Sequence, residues 1–213
     1  MTPENKIKFK AGAQARSLVL LPKKEAEKRI ETNYYVEGYA ARYEPYVLYY
    51  DGDEPIYERF ERGCFDNCDM SDVIMQFDHA GRVFARNTNG SLIVEPDEVG
   101  LFMAADLGRT EGARGLYADI DAEMITKMSW RFRVGEYYWD AETRTIVHRT
   151  VKKIYDVSAV SIPANDNTEI NARSWADGVI GLAARSEAEL DDRRRRLRLK
   201  IKLNSQEEFN YGT

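Results

Sequence analysis

A hydroxyl, an imidazole and a carboxylate suffice for nucleophilic acyl transfer when the fold brings them together. The chain has only two histidines, His79 and His148, and histidine is the commonest general base near neutral pH. His79 follows the apolar run Val73 to Phe77 and precedes Ala80-Gly81. The end of a strand beside a turn is a place from which a side chain can face a cleft; the plain alternative is a polar turn residue. His148 lies in Thr-Ile-Val-His-Arg-Thr, flanked by charge, and reads as an exposed strand position. Ser129 opens a strand among Met128, Trp130, Phe132 and Val134. A serine in such company is either a nucleophile facing a site or a hydroxyl bonded to backbone. Asp156 stands inside the apolar stretch Ile154 to Pro163. A carboxylate there is costly unless paired. It can orient a histidine by accepting a ring N–H, or it can sit at an edge.

Other chemistries find less support. Asp78-His79 is one possible pair of metal ligands, but no HExxH, CxxC or His-x-His spacing accompanies it. Cys64 and Cys68 are too few for a cysteine zinc site or a disulfide framework. There is no GxxxxGK[ST], GxGxxG or GxSxG segment, so phosphate cradles and the α/β-hydrolase elbow are not expected. Neither a metal nor a cofactor is expected.

A length of 213 residues suits one domain with tails, and 43% hydrophobic with 31% charged residues suits a globular body. No apolar run approaches the roughly 20 residues of a membrane-spanning helix. Leu18 to Leu21 is too short for a signal peptide's apolar region, so a cytoplasmic setting is expected. The net charge of −5 is unevenly spread. Residues 1–30 hold eight Lys/Arg against three Glu, and 185–203 hold eight Lys/Arg against four Asp/Glu, so the centre is strongly acidic. An acidic body argues against nucleic-acid binding, which needs positive surface; the run Arg193 to Arg196 is either a solvated face or a docking or nucleic-acid-binding arm. The expected organisation is a basic, partly mobile segment 1–30, a body 31–184, and a charged helical or disordered tail 185–213.

The elements that must position the candidates read as strands for most of the body. Alternating and β-branched or aromatic residues mark 33–43, Pro45 to Tyr50, Ile56 to Phe60, Val73 to Phe77, Ser91 to Glu95 and Gly100 to Asp106. Turn residues separate them at Asp51-Gly52, Ala80-Gly81, Asn89-Gly90 and Pro96-Asp97. Asn89-Gly90, between Phe84-Ala85 and Leu92 to Val94, reads as a hairpin. In 110–127 the period changes: Leu116, Ile120 and Met124 fall on one helical face behind a Thr110 N-cap. Strands resume at Met128 to Tyr138, Thr145 to Val151 and Ile154 to Ile162, with a hairpin turn at Asp140 to Arg144 and a stop at Pro163-Ala164-Asn165. The expected class is α+β, mostly β and antiparallel, a small barrel or sandwich with helices.

These segments, taken in order from about Tyr34 to Ile170, resemble the tailed-phage (caudovirus) prohead serine protease family. The pieces are Gly-Tyr-Ala-Ala-Arg-Tyr ending at Tyr43; Glu58, Gly63, Phe65 and Asp66; the apolar strand ending in His79; Gly90 to Glu95 with Glu98 to Phe102; Met128 to Phe132; and Asp156 to Asn165. The resemblance implies an assemblin-like fold, an antiparallel β-barrel surrounded by helices. It implies a serine endopeptidase of procapsid maturation inside the procapsid in the host cytoplasm, with Ser129 as nucleophile and His79 as base. Its substrates would be scaffold, the N-terminal segment of the major capsid protein, and the protease itself. The matching third residue is Asp156, where many relatives would show Glu; herpesvirus relatives place a second histidine there, which makes His148 a rival. Asp is one methylene shorter than Glu, so orienting His79 is expected to need a backbone shift. Cys64 stands for a usual alanine and is expected to fill core space. Partners implied are the capsid and scaffold proteins and a second copy of the chain, with no membrane. The competing reading is a catalytically inactive procapsid scaffold or assembly protein of the same fold.

Overall fold

The structure is a computed structural model that describes residues 13–16 (backbone only), 28–161 and 177–198. The chain divides into two compact units, 1–174 and 175–213. Among the described residues the first holds twelve strands and one α-helix: β1 (Ala13–Arg16), β2 (Tyr35–Arg42), β3 (Tyr46–Asp51), β4 (Glu54–Phe60), β5 (Ile74–Phe77), β6 (Ala80–Arg86), β7 (Leu92–Pro96), β8 (Gly100–Asp106), α1 (Glu111–Asp121), β9 (Lys127–Val134), β10 (Tyr137–Asp140), β11 (Thr145–His148) and β12 (Val151–Val160). In the second, residues 177–198 form helix α2. From 184 onward α2 is exposed throughout, and its arginine run is partly answered within the helix by Asp191–Arg194 and Asp192–Arg196 pairs at 3.3 and 2.8 Å. Residues 1–12, 17–27, 162–176 (Ile162 and the Pro163-Ala164-Asn165 stop among them) and 199–213 lie outside the described residues.

Among the described residues the class is mostly β with two α-helices. The strands pair into three sheets, ordered β1-β9-β12-β5-β6, β10-β11-β4-β3 and β2-β8-β7. Among the described residues none of these closes on itself, so pairing alone does not make a barrel. Nor is the body purely antiparallel: β11 runs parallel to β4, and β12 parallel to β5. Two expected strands are cut differently. Met128 to Tyr138 breaks at Gly135-Glu136 into β9 and β10, which belong to different sheets, and Val151 opens β12 instead of closing β11. A Cβ at Gly135 would lie 2.1 Å from the Thr150 Oγ1, so the chain passes Thr150 there only without a side chain.

Asn89-Gly90 does not make the expected hairpin. Asn87–Asn89 is a single 3-10 turn that Gly90 closes in the left-handed region at φ 73°, and the strands on either side, β6 and β7, enter different sheets. Helix α1 begins as expected, with the Thr110 hydroxyl accepting from the Ala113 N–H at 3.1 Å. Its buried stripe is Ala113, Leu116 and Ile120. The helix ends at Asp121, and Met124, the expected continuation of the stripe, is 77% exposed.

The five-stranded sheet positions the site because its two faces differ. On one face Met128, Trp130 and Phe132 of β9, Val157 and Ala159 of β12 and Met75 of β5 are buried in the main core. Trp130 stacks on Phe132 (centroids 4.1 Å apart) and packs against Phe60 and Phe65. Successive strand residues point to opposite faces, so the residues between these, Ser129, Arg131, Asp156 and Ser158, share the other face.

Candidate active site

Strand β9 is paired on both sides, to β1 and to β12. Ser129 stands directly opposite Ser158, and Arg131 opposite Asp156. Directly paired residues of antiparallel strands lie side by side on one face. Ser129, Asp156 and Ser158 are all buried, although this face is not the core face.

His79 arrives from the neighbouring strand β5. Phe77 pairs with Ala80, leaving Asp78 and His79 as a two-residue turn. The turn is therefore two residues earlier than Ala80-Gly81, and His79 is in the turn itself. Both turn residues are left-handed, at φ 49° and 57°, the geometry that matches the twist of a hairpin. For residues other than glycine this costs on the order of 1–3 kcal/mol each and persists only when surroundings hold it. Asp78 supplies the hold. Its N–H donates to the Ala159 carbonyl at 2.9 Å. Its carboxylate accepts from the Ser161 N–H at 2.9 Å and the Ser161 hydroxyl at 2.8 Å. The hairpin tip is thus fastened to the end of β12, the strand that carries Asp156.

The His79 Nδ1 lies 2.6 Å from the Asp156 Oδ1. The same oxygen accepts the Ser158 hydroxyl at 2.6 Å, and Oδ2 lies 3.9 Å from the Arg131 Nε. An ionised carboxylate only accepts, so the ring proton belongs on Nδ1, and in the neutral ring Nε2 keeps its lone pair. That nitrogen is buried and has no hydrogen-bond partner among the described residues. The arrangement is a carboxylate-oriented imidazole with a free basic nitrogen, beside a strand that carries a serine on the same face. Asp156 spans the gap to His79 directly, despite being shorter than glutamate. Asp78 and His79 are engaged separately, with Ser161 and with Asp156.

His148 is elsewhere, and its expected exposure is overturned. It is fully buried, because β11 lies between β10 and β4. Its Nε2 lies 2.7 Å from the Glu58 Oε1, and its ring stacks on Phe60 with centroids 4.5 Å apart. The flanking charged residues misled the sequence reading: they leave the strand immediately after it. His148 is thus partnered with Glu58, whereas the partner of His79 is Asp156. Neither cysteine is an activated thiol: burial pushes Cys64 up to about 12 and Cys68 up to about 11.

The profile described as Caudovirus prohead serine protease matches residues 22–178, which takes in every residue of this site. The chain belongs to that family. The family implies a serine peptidase of phage capsid maturation, working inside the procapsid in the host cytoplasm. Among the described residues, no helix of this prohead protease family member is long and apolar enough to cross a membrane. No curated protein and no solved structure matches it significantly.

Sequence reasoning on this family member passed over Ser158 and Asp78 as parts of the site. A signal for Ser158 was present: Asp156 and Ser158 are polar residues two apart in an otherwise apolar strand, hence on one face. Asp78 had none, because its role depends on the chain beyond β12 returning to the hairpin tip.

Proposed function

We propose that this chain is an active endopeptidase in which Ser129 is the nucleophile, His79 the general base and Asp156 the residue that orients it. The observation that supports this most is the 2.6 Å contact from the His79 Nδ1 to Asp156, which leaves Nε2 able to take a proton. The Ser129 Oγ attacks the scissile carbonyl carbon as its proton passes to Nε2. The tetrahedral adduct collapses as Nε2 returns that proton to the departing amine, leaving an acyl-serine. Water repeats the cycle, its proton passing through Nε2, and frees the acid. Asp156 stabilises the imidazolium formed in both halves.

The substrates in this reading are the scaffold, the N-terminal segment of the major capsid protein, and the chain itself. The protease domain is 31–184, folded as the assemblin-like barrel that the family resemblance implies and associated with a second copy. The basic ends dock to acidic scaffold. The experiment is labelling with a fluorophosphonate probe, which needs no knowledge of the cleavage site, followed by peptide mapping. Co-expression with the capsid and scaffold proteins of the same phage accompanies it. The adduct is expected on Ser129, with Ser129→Ala abolishing both labelling and processing. An adduct elsewhere, or processing that survives Ser129→Ala, removes Ser129 from the role. Processing absent in the unsubstituted chain, with no labelling, favours the inactive assembly protein.

A further inference from the structure

We infer that Ser158 is a positioning residue of this site, holding the Asp156 carboxylate in the plane that presents Oδ1 to His79. The inference rests on the peptidase reading above. The torsion that turns an aspartate carboxylate is broad and two-fold, so a single bond from a histidine on a turn leaves the plane of the group loosely set. Ser158 removes that freedom. It sits two residues along the same strand and donates to the same oxygen that His79 uses, at the same 2.6 Å. Both ends of its bond are therefore anchored in β12, whose ladder partners are β9 on one side and β5 on the other.

Three further observations agree. Ser158 is fully buried, and a buried hydroxyl is costly unless bonded. An apolar residue would otherwise suit a stretch whose neighbours are Val157 and Ala159. Its register partner is Ser129, so Ser158 stands beside the nucleophile on the adjoining strand. Its hydroxyl is directed onto the carboxylate oxygen that faces His79.

The test uses the full chain and the fluorophosphonate probe, with inactivation rate and probe affinity measured against pH for the unsubstituted protein, Ser158→Ala, Ser158→Thr and Ser129→Ala. Ser158→Ala is expected to label roughly tenfold more slowly, the factor expected for one net bond to a charged group. Probe affinity should be unchanged, and the acid limb of the rate profile should shift. Ser158→Thr, which keeps the hydroxyl, should restore both rate and limb. The downfield proton resonance of the His79 Nδ1–H should shift in Ser158→Ala and return in Ser158→Thr. An unchanged rate and limb in Ser158→Ala overturns the inference. So does a slower rate that follows a drop in melting temperature with the limb and the resonance unmoved, which is what a merely structural hydroxyl would give. An adduct found on Ser158 also overturns it. Where Ser158→Ala does not fold, a Ser158→Thr protein that folds and yet loses the resonance overturns it as well. Labelling that survives Ser129→Ala counts instead against the peptidase reading itself, and the inference falls with it.

Discussion

Asp156→Asn is the most informative single change, because the surroundings decide which way the amide turns. The Oδ1 position receives two donors at 2.6 Å, from His79 and Ser158. The Oδ2 position has one, the Arg131 Nε at 3.9 Å. An amide has one oxygen for the two positions, and two close donors outweigh one distant donor. The oxygen is therefore expected at Oδ1, still accepting from Nδ1, so the ring keeps its tautomer and Nε2 keeps its lone pair. What is lost is charge. An imidazolium and a carboxylate about 4 Å apart attract by about 4 kcal/mol at an effective dielectric of about 20, and 1.36 kcal/mol is a factor of about ten in rate. Asp156→Asn should thus slow fluorophosphonate labelling by about 10³-fold. Asp156→Ala also frees the ring to rotate and should slow it by 10⁴-fold or more. The assay is the pseudo-first-order labelling rate at saturating probe, with adduct location checked by peptide mapping. A loss under tenfold in Asp156→Asn, or an Asp156→Ala protein faster than Asp156→Asn, refutes both the charge role and the orientation argument.

Three other outcomes follow from particular contacts. Asp78→Ala removes both bonds from Ser161 and puts a less tolerant residue at φ 49°. It should loosen the turn by about 1–2 kcal/mol and slow labelling about tenfold, while Asp78→Asn, which tolerates the left-handed region, should lose less. Trp130→Ala should lower denaturant-measured stability by about 3–5 kcal/mol, because the ring is fully buried in the aromatic core; a loss below about 1 kcal/mol would show that the core collapses around the gap. The Cys64 thiol, pushed up to about 12 by burial, should resist iodoacetamide at pH 8 in the native protein and react once the chain is unfolded. Its raised value means that the native state holds a proton the unfolded chain releases near pH 9. Its contribution to stability is therefore full below pH 9 and falls as pH rises toward 12, which alkaline titration of the melting temperature can check.

Local rules carried the parts of the fold that are local. The Thr110 cap, the Leu116 and Ile120 stripe and the strand at Gly100–Asp106 each depend on residues within one or two turns or one strand. The larger differences are matters of which strand pairs with which. Asn89-Gly90 is a strong hairpin signal, yet β6 had already found its partner in β5 and β7 found its own in β8. His148 reads as exposed until β4 is laid beside β11. The two parallel pairings join segments far apart in sequence, and nothing in either segment announces its neighbour. In the site, His79 and Asp156 were legible because a polar residue among apolar ones demands a partner. That they partner each other depends on β12 lying beside β5.

The site's parts are not held equally firmly. Ser129, Asp156 and Ser158 stand on strands with neighbours on both sides, and their apolar alternates are packed in the core. Groups placed this way hold their geometry more closely than groups on loops. His79 is the exception, carried on a two-residue turn whose backbone both its members adopt reluctantly. The turn has three restraints that tie it to β12 and the residue after it: the Asp78 N–H on Ala159, the Asp78 carboxylate on Ser161, and the His79 ring on Asp156. All three converge within six residues of one strand end, so His79 moves with the carboxylate it contacts. Changes that disturb the end of β12 should therefore weaken the His79 contact before they disturb the placement of Ser129.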